Sequence, residues 1–172
     1  MDKAKNIWII NDKDELILVD KNNMKVKTFL PYASSTGNTT DQLYDLGVLE
    51  DQLYLFYRSG LLICYNLKSH QEIYRQKLPD ELPKGKYENT SYVVPGNNTF
   101  YQLRNGSQGG VMLNYDITRK KWNIVFQTDY RLNSLSIDKD SSIWVSCYMG
   151  LWNIDAGLIN KQYIPNLKLV DG

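Results

Sequence analysis

The chain has 172 residues, with 20 basic and 19 acidic side chains, one His and two Cys, and a formal net charge of +1. A balance this close to neutral excludes the basic footprint of a nucleic-acid-binding domain. Two Cys are too few for a disulfide framework, and no window approaches the ~18 apolar residues that mark a membrane span. The length fits one domain, or part of one, and is enough to bury a core.

Read in chain order, Met1 to Asn6 lacks an apolar stretch, so the chain as given is expected to carry no signal peptide. A first strand follows at Ile7-Trp8-Ile9-Ile10, then a polar turn from Asn11 to Asp14. A second apolar strand, Leu16 to Val19, ends at Asp20, and after another turn comes the more polar Val26-Lys27-Thr28-Phe29. The same order recurs three more times, now with a lead-in strand. Leu43 to Leu49 leads to Leu53-Tyr54-Leu55-Phe56, then Leu61 to Asn66, then Glu72 to Arg75. Pro79 to Lys86, broken by two prolines and a glycine, reads as a loop. Ser91 to Val94 leads to Thr99-Phe100-Tyr101, then Val111 to Asp116, then Trp122 to Phe126. Ser134 to Ile137 leads to Ile143-Trp144-Val145, then Leu151 to Asp155, then Lys161 to Ile164. Turn residues separate the runs, and nothing has the 3.6-residue period of an amphipathic helix.

The aromatics Trp8, Tyr54, Phe100 and Trp144 stand 46, 46 and 44 residues apart. An all-strand repeat of roughly 40–45 residues is the pattern of β-propeller blades. The expected fold is therefore all-β: about four repeats of four-stranded antiparallel sheets, near 1–42, 43–90, 91–132 and 133–172, in a single propeller segment over 1–172. The repeated aromatics are expected in the core between blades. Cys64 and Cys147, both in repeat strands or at their ends, are expected as buried, inert thiols. The last residues, Leu169 to Gly172, match the lead-in Ser136 to Lys139, so the chain starts and stops at one phase of the repeat. Two architectures fit: a partial propeller cut from a longer one, or a small closed ring whose last strand completes the first blade.

The fourth copy, Ile143-Trp144-Val145-Ser146-Cys147-Tyr148-Met149-Gly150-Leu151-Trp152-Asn153-Ile154-Asp155, resembles the two-component regulator propeller repeat. The matching features are the Trp between aliphatics, the polar turn, Gly150-Leu151 and the closing Asp155. Asp138 to Ser142 resembles the turn that precedes that motif. The other copies depart from it: Glu15 stands where Gly is usual, Tyr54 and Phe100 replace Trp, and the turn from Arg104 to Gly110 is long. The resemblance implies a piece of the extracytoplasmic sensor region of a bacterial hybrid two-component system. It implies sensing of glycan-derived ligands or a contribution to sensor dimerisation, and a kinase that lies elsewhere. On that reading the location is periplasmic as part of a larger sensor; a chain complete as given would be cytoplasmic. The partners it implies are an oligosaccharide and either the remaining blades or a second copy of the chain.

No catalytic, metal or cofactor site is expected. The one His, His70, sits between two strands, whereas a phosphoacceptor needs an exposed helix, and a single His with no Cys cluster supports neither a Ser-His-Asp triad nor a zinc site. Glycoside hydrolysis needs two carboxylates facing each other at about 5–9 Å, but Asp12, Asp14, Asp138 and Asp140 fall in turns, where Asp caps its own backbone. Asp20, Asn66, Asp116 and Asp155 recur in register, which suggests the same capping role. The Gly-rich run Asn105 to Gly110 opens a strand rather than a helix, so it reads as a hairpin and not a phosphate cradle.

The candidate site is the loop face where second-to-third and fourth-to-next-first connections meet, since functional side chains sit on loops held by a rigid scaffold. Its expected ligand-binding residues are Tyr32, Tyr57, Arg58, Arg104, Tyr130, Arg131 and Tyr148. Tyr faces stack on sugar rings and Arg forks pair with uronate or sulfate groups. The function so read is a non-enzymatic sensor segment, with a protein-interaction scaffold propeller as the alternative.

Overall fold

A computed structural model describes residues 6–11, 13, 15–29, 41–82, 87 and 89–165. Every regular element among them is a strand, and the strands form four antiparallel sheets in sequence order. The first sheet holds β1 (Ile7–Ile10), β2 (Leu16–Val19) and β3 (Val26–Phe29). The second holds β4 (Leu43–Leu49), β5 (Gln52–Tyr57), β6 (Leu62–Asn66) and β7 (Glu72–Gln76). The third holds β8 (Asn89–Gly96), β9 (Thr99–Gly106), β10 (Gly109–Asp116) and β11 (Lys121–Thr128). The fourth holds β12 (Leu132–Ile137), β13 (Ile143–Cys147), β14 (Gly150–Ile154) and β15 (Lys161–Pro165). Leu169 to Gly172, expected to supply a further strand, lies outside the described residues.

By its contacts the chain divides into two compact units, Met1–Leu78 and Pro79–Gly172. The core of the first lies between its two sheets. Leu16, with Trp8 and Ile10 beside it, packs with Leu53, Leu55, Tyr57 and Ile63. The core of the second is built alike: Leu103, Met112 and Phe126 meet Leu135, Ile143, Val145 and Ile154. Both central strands of the second and third sheets are nearly all buried, while their fourth strands are largely open to solvent, as expected of sheets whose inner strands are covered on both faces. Cys64 and Cys147 are buried free thiols.

The recurring acidic and amide residues do close turns. Asp20 accepts from the Asn22 amide at 2.8 Å, and Asn66 from the amides of Lys68 and Ser69 at 2.8 and 2.9 Å. Asp116 accepts from Arg119 at 2.9 Å, and Asp155 from Ile159 at 2.8 Å. Each oxygen caps amides that the turn leaves without a ladder partner.

Register corrects the repeat frame in the third copy. Trp8 faces Leu18, Tyr54 faces Cys64 and Trp144 faces Asn153 across their hairpins, each partner two residues before the capping side chain. In the third sheet that place belongs to Tyr101, opposite Asn114, and not to Phe100, opposite Tyr115. A shift of one residue moves a side chain to the other face. Tyr101 therefore packs on the second unit's core, whereas Phe100 is buried on the opposite face of its sheet. Two adjacent aromatics made the frame ambiguous in sequence.

Candidate functional site

The structure separates the expected site residues into three groups. Tyr57 and Arg104 are not on loops. Tyr57 ends β5 and continues the inward alternation of Leu53 and Leu55, so it is buried in the first unit's core. The long loop expected from Arg104 to Gly110 is a two-residue turn, Ser107-Gln108, because β9 and β10 remain paired up to Gly106 and Gly109. Arg104 is consequently a strand residue, 2% exposed, whose Nε donates to the Tyr87 carbonyl at 2.9 Å. Tyr32 lies outside the described residues. The remaining four, Arg58, Tyr130, Arg131 and Tyr148, are exposed at strand connections.

Arg58 belongs to the turn between β5 and β6 in the first unit, where its amide donates to the Gln42 carbonyl at 2.8 Å. The next residue, Ser59, bonds Asp41 through both its amide and its hydroxyl. The other three are in the second unit. Tyr130 and Arg131 lie between β11 and β12, and Tyr148 lies in the turn between β13 and β14.

These connections are joined by a residue that sequence reasoning placed only in a fourth strand, Tyr163. Its ring stacks on Tyr130 with centroids 5.9 Å apart and planes 15° from parallel. Behind it Trp152 follows at 5.0 Å, and Phe126 lies 5.0 Å beyond that. The order arises simply: Trp152 and Tyr163 are cross-strand partners on the face that packs on the third sheet. The Tyr163 hydroxyl donates to the Met149 carbonyl at 2.6 Å, tying this ladder to the turn that carries Tyr148. Loss of hydration raises the Tyr163 phenol above its ordinary range, so it stays a donor at neutral pH.

The result is an aromatic ladder running from buried Phe126 to a rim where Tyr130 is 39% and Tyr148 82% exposed. Met149 is exposed beside them, and Arg131 supplies a cation. One side of the Tyr130 ring is covered by Tyr163, so the phenol is held in place without being buried. Such an arrangement presents a fixed flat surface with polar edges, suited to stacking. Chemistry of another kind is less well supplied. Among the described residues no three His, Cys, Asp or Glu side chains gather as metal ligands. Asp138, Asp140 and Asp155 are engaged in their own turns. His70 sits in the turn between β6 and β7 with a positive φ of 57°. Among the described residues no helix is long and apolar enough to cross a membrane.

No protein-family model matches this chain, and no curated protein matches it. Solved structures do. The extracellular domain of a protein described as a one component system from B. thetaiotaomicron aligns over 97% of this chain and 22% of its own, at 14% identity and a TM-score of 0.67. The extracellular domain of a protein described as a hybrid two component system from the same organism aligns over 95% and 20%, at 12% identity and 0.64. The Swd1 β-propeller domain of Myceliophteria thermophila aligns over 96% and 56%, at 11% identity and 0.63. The chain thus spans about a fifth of the first two and about half of the third. At these identities the likeness is one of fold, and with the four antiparallel sheets in sequence order it shows that this chain is a run of β-propeller blades.

Proposed function

We propose that this chain is a non-enzymatic, ligand-binding stretch of a β-propeller in a bacterial sensor, working outside the cytoplasmic membrane. We further propose that the second unit's rim takes a glycan-derived oligosaccharide. The observation that carries the reading is the rim itself: Tyr130 held by Tyr163, with Tyr148 and Arg131 exposed on the adjoining connections. A pyranose ring presents an apolar face to stack on such phenols, and Arg131 suits an acidic sugar. Structural likeness to extracellular domains of two bacterial signalling proteins supports the sensor setting.

The test is calorimetric titration of the chain with neutral and uronate-containing oligosaccharides, followed by Tyr130→Ala and Tyr148→Ala. Losing one stacking face is expected to weaken binding about tenfold, which corresponds to ~1.4 kcal/mol. The ligand should be recovered uncleaved. Absence of binding to every oligosaccharide, or affinity unchanged by both substitutions, would refute the proposal. Cleavage of the sugar would refute the non-enzymatic part.

A further inference from the structure

Each of the three four-stranded sheets carries a β-bulge near the start of its first strand, where pairing with the second strand steps over one residue. The residues passed over are Tyr44 in β4, Ser91 in β8 and Asn133 in β12. A bulge leaves its extra residue out of the ladder and can re-aim a side chain there. Because it recurs in all three sheets, the bulge belongs to the scaffold, while the residue it sets aside differs from sheet to sheet. In the last sheet of the second unit that residue is an Asn, three positions after Tyr130 and two after Arg131.

The bulge breaks the alternation of β12. Leu132 and Leu135 are buried, and both residues between them, Asn133 and Ser134, are exposed. The backbone is nevertheless held on either side of Asn133. Ahead of it, the carbonyl and amide of Leu132 are bonded to the Asn105 side chain, each at 2.8 Å. Behind it, the Ser134 hydroxyl meets the Ser146 hydroxyl at 2.5 Å. Ser146 lies two residues before Tyr148, and at most about 11 Å of chain separates Asn133 from Tyr130, so Asn133 stands at the same end of the sheet as the aromatic rim. The Asn66 and Asn105 side chains work inside the fold, closing a turn and joining two sheets. Asn133 instead offers an exposed amide on a backbone already fixed, which lowers the ordering cost of binding.

We infer that Asn133 is the polar specificity residue of the rim, and that it takes two adjacent hydroxyls of a sugar unit neighbouring the one stacked on Tyr130. The inference rests on the oligosaccharide reading above and adds which sugars are accepted. A primary amide sets an acceptor, Oδ1, beside a donor, Nδ2, in one plane. Adjacent ring hydroxyls answer both, one donating to Oδ1 and the other accepting from Nδ2, whereas an isolated hydroxyl answers only one. The side chain therefore selects units with a free vicinal diol. In a chain of hexopyranoses, internal units joined 1→4 keep O2 and O3 free side by side, and those joined 1→3 do not.

Calorimetric titration with paired tetrasaccharides tests it: cellotetraose against laminaritetraose, and β-1,4-linked against β-1,3-linked galactotetraose. The expected result is a preference of about tenfold for the 1→4-linked member of a pair. Asn133→Ala should remove that preference by weakening the 1→4-linked member alone, while Tyr130→Ala weakens both members. Asn133→Asp, which keeps the shape and loses the donor, is the second variant should Asn133→Ala lose its β-sheet circular dichroism, and it should weaken the same member. Binding without linkage preference, or a preference that persists in both Asn133 variants, would overturn the inference and leave the oligosaccharide reading standing. Absence of binding by all four tetrasaccharides would also overturn it, and titration with uronate-containing oligosaccharides then decides the broader reading alone.

Discussion

Asn105 offers the sharpest test of how the second unit is held together. It is a buried polar residue near the end of β9, and its side-chain amide behaves like one more residue of backbone. Nδ2 donates to the Leu132 carbonyl at 2.8 Å, while Oδ1 accepts from the Leu132 amide at 2.8 Å. Leu132 opens β12, so these two bonds pin the fourth sheet to the third at the point where the chain crosses between them. Replacing Asn105 with Ala or Leu strands one buried donor and one buried acceptor. Each costs about 1–3 kcal/mol, so the pair is expected to cost about 2–6 kcal/mol. Urea denaturation followed by the fluorescence of Trp122, Trp144 and Trp152 reads this unit. With a slope of about 2 kcal/mol per molar, the midpoint should fall by about 1–3 M.

Asn105→Asp separates the hydrogen-bond account from simple loss of packing. At neutral pH a carboxylate would set a charged oxygen against the Leu132 carbonyl. The folded state would instead hold the group protonated, raising its pKa above the unfolded value of ~3.9. A protonated carboxyl restores both bonds. The folded form then binds more protons than the unfolded form, so the stability of this variant should be greatest below about pH 4 and decline as pH rises through the raised value. Asn105→Leu within about 0.5 kcal/mol of the parent chain, or an Asn105→Asp variant with no such pH dependence relative to the parent, would refute the reasoning.

Two further expectations concern turns. At Gly109, φ is 116° and an added Cβ would overlap the Thr128 carbonyl oxygen, which is backbone and cannot move aside. Gly109→Ala should therefore cost at least about 2 kcal/mol, whereas Gly157→Ala, whose Cβ would meet nothing nearer than 3.7 Å, should leave thermal stability nearly unchanged. The Asp155 carboxyl is held below its ordinary range, first by the Ile159 amide and further by Asn160. Such a group stabilises the fold above the unfolded pKa of ~3.9 and loses that contribution as pH falls through the lowered folded value. Carbon-detected NMR titration should find it protonating later than a free Asp on acidification, and Asp155→Ala should abolish the protection of the Ile159 amide from exchange.

The repeat, the strands and the turn-closing role of the recurring Asp and Asn are legible in the residues alone. Alternating aliphatics around Trp8, Tyr54 and Trp144, punctuated by Asn, Asp and Gly, are local signals, and a strand or a capped turn is decided within a few residues. The recurring Asp20, Asn66, Asp116 and Asp155 were legible as caps for that reason. What depends on register and on packing between sheets was not legible. Whether Phe100 or Tyr101 continues the aromatic series is settled by pairing with β10, since both are apolar enough for either face. Tyr57 and Arg104 looked like rim residues because the turn composition beside them hid how far their strands extend. Asn105 read as part of a glycine-rich hairpin, yet its partner Leu132 is 27 residues away. The rim was legible only in part: Tyr130 and Tyr148 followed from their loops, but Tyr163 joins them through a ring stack between residues 33 positions apart. Local preference writes the blades into the sequence. Which side chains meet across them is fixed only when the sheets pack, because contacts between distant segments have no signature in either segment alone.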